Sequence, residues 1–429
     1  MRVGFYESDI TPPLGGLLWG HYANVRARAI RDRLFARAAV IEGDDKTVAA
    51  FVCVDTCALP DGIHEIVTKR IFEYTGIAPE NVCISSNHTH WGAPVKDSPE
   101  LGLFADKTYL DVFFRLTADA VTMAYRNMEE ADVRFGTGLA EDIAFCRDYH
   151  LKDGRCITWA GGIDPEDIVR RNSEADPTVR VVTVERNGAP VGALVHFACH
   201  QCCCVGGDGE GYTGDFSSVM SKELKKVYGE DFVAVYLPGT AGDITHLANN
   251  HFTTTPDHYR MMGKKLASAV IDANKTAKPL AGEVKVAFEK ITVPHRQISS
   301  ADASAEIARL CNSYAGSMRA RNLAYYTTVS VPEGEYALQA IRVGSLCVYV
   351  MPGEVFIDLG RRVMRDSAYE YSMVVHNSNT YCGYIPTKEA FGEGYDLYEA
   401  TLCYHSCLIP EAGDMMTDKL LELGEQIKQ

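Results

Sequence analysis

The chain has 429 residues, of which 46% are hydrophobic and 23% charged, and its formal net charge is -15. This composition is typical of a globular enzyme, and the excess of carboxylates excludes a nucleic-acid-binding role, because neutralising phosphates requires clustered Lys and Arg. No stretch approaches the roughly 18 uninterrupted apolar residues of a membrane-spanning helix, and no apolar core of signal-peptide length follows Met1. We therefore expect a cytoplasmic protein without a transmembrane segment.

The chain contains 14 cysteines, most of them inside apolar, strand-like runs. This distribution predicts free, buried thiols in a reducing compartment rather than a disulfide framework. Cys202, Cys203 and Cys204 are consecutive and therefore cannot easily converge on one ion. Because no second C-x-x-C pair exists, we do not expect a site built from several thiolates.

The first third of the chain alternates strand-like runs such as TVAAFVCVDT and NVCISS with helix-like runs such as DGIHEIVTKRIFEYTG. A second set of strands follows, ending in the helix-like run DHYRMMGKKLASAVIDANK, and GEVKVAFEKITVPH then has the alternation of a half-exposed strand. SADASAEIARLCNSYAG predicts an additional helix. These patterns predict an α/β fold of layered mixed β-sheets with flanking helices. No linker or repeat divides the chain, so residues 1–429 are expected to form one domain.

Two pairs of histidines lie near the ends of predicted strands, in SNHTHWGAP and in ALVHFACHQ. His88 and His90 are two residues apart, so both side chains would point to the same side if the strand continued. The H-x-H pattern at a strand end is a recurrent arrangement for metal binding. His200 follows its strand and is free to reach a site, whereas His196 is interpreted as a hydrogen-bonded core residue.

The second half of the chain offers further candidate ligands. In VYVMPGEVF a buried strand breaks at Pro352 and Gly353 and then presents Glu354, which is either solvated or coordinated. A following Tyr-rich loop supplies phenol groups that are either ligands or packing aromatics, namely Tyr381, Tyr384, Tyr395 and Tyr398.

The Gly-rich turn LPGTAGDITH places Asp243 and Thr245 just past another strand. A carboxylate and a hydroxyl two residues apart would suit a nucleophile with its orienting group. The same pair would equally suit a helix N-cap.

Taken in order, these motifs resemble those of the neutral/alkaline non-lysosomal ceramidases, zinc-dependent amidases that cleave N-acylsphingosine. VGFYESDITPP with GHYAN resembles the family's opening elements, and RLFARA with VCVDT its next strand pair. SNHTHWGAP resembles its H-T-H-x-G-P motif, FACHQ its second histidine strand, and GDITH its G-D-V-S-P turn. MPGEVF and TYCGYIPTKEAF resemble its P-G-E-F and Y-x-x-Y-x-T-T-x-E-E-Y elements.

The resemblance implies a zinc ion bound by four residues, namely His88, His200, Glu354 and Tyr384. It implies that His90 is not a ligand and faces the scissile bond, and that Arg147 in FCRDYH lies near the substrate. Tyr398 is the expected second tyrosine of the site. GEGYDLYEA is two residues longer than the family's stretch, which keeps Tyr395 as a competitor for that role.

The chain departs from the family pattern at two points. Thr245 stands where the family has a serine proposed as nucleophile, and His246 stands where it has a proline. A β-branched hydroxyl has a more restricted χ1 angle, which makes an acyl-enzyme route less favourable. The family also carries a C-terminal β-sandwich domain, which we expect to be absent because the chain ends near the predicted end of the catalytic domain.

The predicted function is a zinc-dependent hydrolase that cleaves the amide bond of a small-molecule or lipid substrate by metal-activated water or a hydroxyl. His90 would move a proton to the leaving group, Tyr398 and Arg147 would orient the substrate, and Asp243 would hold Thr245 or a metal ligand. Two alternatives stay open: hydrolysis of a small cytosolic amide, lactone or ester, and a non-catalytic metal- or ligand-binding protein. The sequence does not indicate an oligomeric state.

Overall fold

The computed structural model describes residues 1–21, 24–203, 210–248, 254–255, 257–311 and 314–428. Cys204 lies outside this part of the chain. The other cysteines are all free thiols, and all except Cys202 and Cys311 are buried. None of the described helices combines the length and the apolar character that crossing a bilayer requires.

Three larger sheets form the body of the fold. The first has the order β5-β4-β3-β1-β6, with β1 Arg2–Asp9, β3 Phe35–Glu42, β4 Val48–Val54, β5 Val82–Ser86 and β6 Glu129–Glu130. The second has the order β15-β13-β12-β7-β17, with β7 Asp132–Leu139, β12 Thr178–Arg186, β13 Ala189–Phe197, β15 Val233–Pro238 and β17 Lys278–Pro279. The third has the order β18-β19-β20-β22, with β18 Val284–Pro294, β19 Glu333–Val343, β20 Leu346–Val350 and β22 Tyr371–Val375.

Short strands connect the loops between these sheets. One small sheet has the order β11-β9-β10-β24, with β9 Asp148–Leu151, β10 Cys156–Thr158, β11 Ile168–Arg171 and β24 Tyr395–Asp396. Three isolated pairs join β2 Ala29–Ile30 to β14 Gly211–Tyr212, β8 Phe145–Cys146 to β16 Ile244–Thr245, and β21 Glu354–Val355 to β23 Tyr384–Ile385. These pairs bring distant loops together.

Eight helices are described: α1 Ile63–Thr75, α2 Lys107–Arg126, α3 Asp215–Tyr228, α4 His258–Thr276, α5 Ser300–Leu310, α6 Tyr314–Val329, α7 Ile357–Asp366 and α8 Ala412–Gln426. α2 packs on the first sheet, α4 on the second and α8 on the third. The inner faces of the three sheets share one apolar core, which includes Phe51, Leu194 and Val348. The predicted layered α/β architecture of mixed sheets is confirmed.

Three strands, β5, β13 and β20, lead into the segments that carry candidate site residues, and they end on the same side of the molecule. β5 runs parallel to β4, β13 parallel to β15, and β20 parallel to β22. His88 and His200 lie in the loops after β5 and β13, and Glu354 begins β21, directly after the turn that follows β20. Loops after strand ends are where α/β proteins place their functional groups, because a rigid sheet there supports side chains that are free to project.

Candidate metal centre

His88 lies in the loop after β5 rather than in a continuing strand. Its backbone is left-handed, with φ 68°, so the expected strand alternation with His90 does not occur. Its amide donates to Thr56 O at 3.0 Å, and its Nδ1 lies 2.5 Å from Cys57 O. The preceding Asn87 donates to the buried Asp55 at 2.8 Å, which anchors the loop. These bonds direct His88 Nε2 into the interior.

His200 reaches the same interior point from the loop after β13. Its Nδ1 lies 2.9 Å from Ala241 O, and burial lowers the pKa of this imidazole well below its ordinary value. The ring is therefore neutral. His196, four residues earlier on β13, instead bonds Val374 O through Nε2 at 3.0 Å and is a buried core residue, in agreement with its sequence interpretation.

Glu354 begins β21, directly after a turn that only glycine fits. Gly353 has φ 64°, and a Cβ on it would lie 2.2 Å from Gly383 O. Glu354 N donates to that same carbonyl at 2.8 Å. The hydroxyl of Tyr381 donates to Glu354 Oε1 at 2.7 Å, which leaves Oε2 as the carboxylate atom available to a ligand.

His88, His200 and Glu354, hereafter the histidine cluster, converge on one point. The two Nε2 atoms lie 3.0 Å apart, and Glu354 Oε2 lies 3.4 Å from the first and 3.3 Å from the second. A carbonyl can only accept a hydrogen bond, so Nδ1 of each ring carries a proton, and a ring with this single proton presents a lone pair at Nε2. Glu354 Oε2 is buried and has no hydrogen-bond partner among the described residues. Three converging acceptor atoms repel one another unless a cation lies among them, so this donor set fits a metal ion.

Tyr384 lies beside Glu354 because β21 and β23 pair in parallel with these two residues in register. Its hydroxyl accepts a hydrogen bond from Arg147 Nη2 at 3.2 Å. Arg147 is itself buried, and its Nε donates to Glu399 Oε1 at 2.6 Å. Burial alone would lower the pKa of Arg147, but Glu399 and Tyr384 raise it well above its ordinary value. Arg147 thus places a buried cation at the Tyr384 hydroxyl.

His90 lies next to the histidine cluster, partly buried, with its Nε2 3.3 Å from His88 Nε2. It forms an overlapping group with His88 and Cys57, whose possible ligand atoms all lie within 4.8 Å of one another. The backbone comes close to this ring at Gly20, where a Cβ would lie 2.5 Å from His90 Cγ. That His90 is not a ligand stays a prediction.

The two competing tyrosines occupy different places. Tyr398 packs edge-on against Tyr384, with ring centroids 5.7 Å apart, and also contacts His405 at 5.3 Å. Tyr395 belongs to β24, where its ring packs against His150 at 5.9 Å. Tyr398 is therefore the one beside the candidate ligand Tyr384.

Asp243 and Thr245 are both buried, and among the described residues no hydrogen bond joins their side chains. Asp243 Oδ1 accepts from Ile357 N at 2.8 Å, at the start of α7, and burial raises the pKa of this carboxyl to about 7. Thr245 Oγ1 accepts from Leu247 N at 3.4 Å. His246 lies against the ring of His258, with centroids 5.0 Å apart.

Glu399 and His405 had no role in the sequence-based predictions, and Tyr381 was considered there only as a ligand or a packing aromatic. Tyr381 supports Glu354, Glu399 supports Arg147, and the buried His405 packs against Tyr398 and Tyr384. Tyr381 is the first tyrosine of the Y-x-x-Y element that the sequence analysis identified, and Glu399 follows Tyr398 directly.

Comparison with known proteins shows which family profile, curated proteins and solved structures are similar to this chain. The sequence profile described as "Neutral/alkaline non-lysosomal ceramidase, N-terminal" matches residues 1–258. The neutral ceramidases of Drosophila pseudoobscura pseudoobscura and Drosophila melanogaster are each 38% identical over 97 residues, which is 22% of this chain and 14% of theirs. The crystal structure of neutral ceramidase from Pseudomonas aeruginosa matches with a TM-score of 0.74 at 16% identity, over 99% of this chain and 74% of that one.

The matches differ in what they cover. The profile includes His88, Arg147 and His200 but ends before Glu354 and Tyr384. The structural match spans nearly the whole chain, although at 16% identity it shows the fold alone. The aligned region amounts to only 14% of the length of the curated relatives.

Proposed function

This chain belongs to the neutral/alkaline non-lysosomal ceramidase family, and from that premise we propose that it is a zinc-dependent hydrolase of an N-acyl amide bond. The observation that carries the proposal is the convergence of His88 Nε2, His200 Nε2 and the unpartnered Glu354 Oε2. Two imidazoles and a carboxylate, with a phenol oxygen as fourth donor, are a suitable set for tetrahedral Zn²⁺.

We propose His88, His200, Glu354 and Tyr384 as the ligands. A zinc ion held by them supplies Lewis acidity towards a substrate carbonyl and towards water. The carbonyl oxygens of Cys57 and Ala241 fix the two imidazoles with Nε2 inward, and Tyr381 fixes the carboxylate. Such supporting bonds keep the donors in place before the ion arrives.

Arg147 acts on Tyr384 rather than on the substrate in this proposal. Its guanidinium donates to Glu399, to Gly242 O at 2.6 Å and to the Tyr384 hydroxyl. Because these partners occupy a side chain that is only 4% exposed, Arg147 orients the phenol and stabilises its ionised form.

The remaining groups are proposed to handle the proton and the leaving group. His90 is partly buried beside His88, so its ring would accept a proton from attacking water and return it to the leaving amine. Tyr398, packed on Tyr384, would donate a hydrogen bond to the substrate carbonyl oxygen. Thr245 would assist through its hydroxyl, and Asp243 would support the site through Ile357 N.

The substrate class follows from the family, whose curated relatives are called neutral ceramidases. We propose an N-acylsphingosine-like lipid amide as the first candidate, and a small cytosolic amide, lactone or ester as the second. Thr245, which stands where the resembled family has a serine, bears on the attacking group and leaves both substrate candidates open. Single-domain organisation over residues 1–429 and a cytoplasmic location stay predictions.

An assay series tests the proposal. Metal-loaded protein should hydrolyse N-acylsphingosine faster than a short-chain N-acyl amide or a chromogenic ester, and a chelator should abolish the activity. Faster turnover of the small substrates would favour the second candidate. Metal binding by the histidine cluster without hydrolysis of any of the three would favour a non-catalytic binding protein and overturn the proposal.

A further inference from the structure

A second group of buried residues with possible metal-ligand atoms includes both sequence neighbours of Arg147. It consists of Cys146, Asp148 and Asp243, hereafter the thiol-carboxylate cluster, whose possible ligand atoms all lie within 4.8 Å of one another. The side chains are buried, at 0%, 0% and 1% exposure. None of these residues belongs to the histidine cluster, so the two groups are separate.

Backbone pairing explains why the three residues meet. β8 and β16 pair with Cys146 opposite Ile244, and Arg147 N donates to Asp243 O at 2.9 Å. Alternate residues of an extended segment point to the same side. Cys146 and Asp148 therefore share one side, next to Asp243, while Arg147 between them points towards Tyr384.

Asp148 indicates that this group takes a ligand. Both of its carboxylate oxygens are buried and have no hydrogen-bond partner among the described residues. Thr158 lies opposite Asp148 in the strand register, but its hydroxyl donates to Glu399 Oε2 at 2.6 Å. A carboxylate removed from water without a partner costs several kcal/mol unless it is neutralised by a proton or a cation.

We propose that Cys146, Asp148 and Asp243 bind a second divalent ion of the zinc class. One thiolate sulfur with two carboxylate oxygens suits Zn²⁺, whereas Ca²⁺ requires six to eight oxygen ligands and Mg²⁺ an octahedron of oxygens. The ion would replace the thiol proton of Cys146 and any proton held by the two carboxyls, and these protons would be released to solvent.

The proposed ion would lie near a cavity and would have a structural consequence. Cys146 also lines a cavity of about 720 Å³, together with Phe145, Arg171 and Ser173. Asp243 holds Ile357 N, three residues after Glu354. The ion would therefore fix the β8–β9 segment, the 241–245 turn and the start of α7 relative to one another.

Cobalt substitution tests the site without relying on activity. Metal-stripped protein titrated with Co²⁺ should develop a near-ultraviolet thiolate-to-cobalt charge-transfer band. The band should be lost in Cys146→Ser and kept in Cys57→Ser, which removes the thiol that is grouped with His88 and His90. Dependence of the band on Cys57 instead of Cys146, or its absence from the wild-type protein, would overturn the proposal.

Metal counting provides the second measurement. Elemental analysis after Zn²⁺ loading should give two ions per wild-type chain, and one per chain in either Cys146→Ser or Asp148→Asn. His88→Ala should lose one ion and keep the cobalt band, so failure of the histidine cluster is distinguished from failure of this one. Circular dichroism of the metal-free variants checks that they fold. If only one of Cys146→Ser and Asp148→Asn folds, that variant alone is sufficient for the test. Unchanged stoichiometry in a folded variant would mean that a shared proton, not an ion, neutralises Asp148.

Discussion

The histidine cluster and the thiol-carboxylate cluster are both buried, but they are held in place differently. Each donor of the first has its other polar atom fixed, by Cys57 O, by Ala241 O or by the Tyr381 hydroxyl. In the second, Asp243 is held by Ile357 N, but the Asp148 carboxylate has no such bond among the described residues and is placed by strand pairing. The difference suggests that metal affinity in the first cluster depends on individual supporting atoms, and in the second on the backbone.

The largest expected effect is on the first cluster itself. His88→Ala should lose the bound ion of that cluster and reduce hydrolysis to background, because one of two imidazole donors is missing. His90→Ala is the matched variant two residues away, and it should keep the ion while slowing turnover, because its proposed role is proton transfer. Elemental analysis and steady-state assays of both proteins provide the comparison. Equal metal loss in both variants would show that the two histidines chelate together.

Removing one supporting atom should have a smaller effect. Tyr381→Phe deletes the hydroxyl that donates to Glu354 Oε1, and we expect zinc affinity to fall about 10- to 100-fold. Tyr369→Phe is the control, since its hydroxyl donates to Gly424 O in another part of the fold. Competition with a chromogenic chelator measures both affinities. Equal affinity in the two variants would show that Glu354 needs no such support.

In the thiol-carboxylate cluster, Asp243 should make the free energy of unfolding depend on pH. Burial raises the pKa of Asp243 to about 7 from its usual 3.8, so the folded protein holds this proton more tightly than the unfolded chain. The resulting stabilisation is complete below the unfolded pKa and is lost as pH rises towards 7, by about 1.4 kcal/mol per unit. Asp243→Asn mimics the neutral acid and should lack this loss.

Urea unfolding of the metal-free wild-type protein and of Asp243→Asn, across that pH interval, measures the difference. The two stability curves should diverge as pH rises, with the variant becoming the more stable protein. Parallel curves would show that Asp243 is already ionised in the folded state, which would mean that its neighbourhood is more polar than its burial indicates.

The smallest effect is expected at Thr245. Thr245→Val should retain most turnover, because the hydroxyl is proposed as an assistant and His246, the base nearest in sequence, packs against His258. Steady-state rates relative to Thr327→Val, an exposed threonine, measure the loss. A covalent acyl adduct on Thr245, detected by mass spectrometry, would contradict this expectation and assign the attack to the hydroxyl.

Local patterns in the sequence predicted the layers of the fold and the strand ends that carry His88, His200 and Glu354, because hydrophobic periodicity and Gly/Pro breaks are local signals. They did not predict how His88 is oriented, because its left-handed backbone depends on Thr56 and Cys57 across the sheet. β5 ends before His88, so the condition for strand alternation is not met, although the two rings still meet, with their Nε2 atoms 3.3 Å apart.

The ligand set itself could not be derived from spacing. His88 and His200 are 112 positions apart, and Glu354 meets them only after the third sheet has packed, so their grouping rested on the family resemblance. The thiol-carboxylate cluster had no motif at all. It depends on the register of β8 with β16 and on the bond from the Thr158 hydroxyl to Glu399 rather than to Asp148. Tertiary packing determines both.

The three donors of the histidine cluster come from segments that are far apart in the chain, and this links ion binding to folding. An ion bound there would act as a reversible cross-link that closes long loops of the unfolded chain, and its binding energy would add to cooperativity between the sheets. The 1–258 segment, which supplies both histidines, lacks the carboxylate of Glu354. During synthesis, full affinity for the ion would therefore arise only after the last third of the chain has docked, which makes metal retention a measure of completed folding.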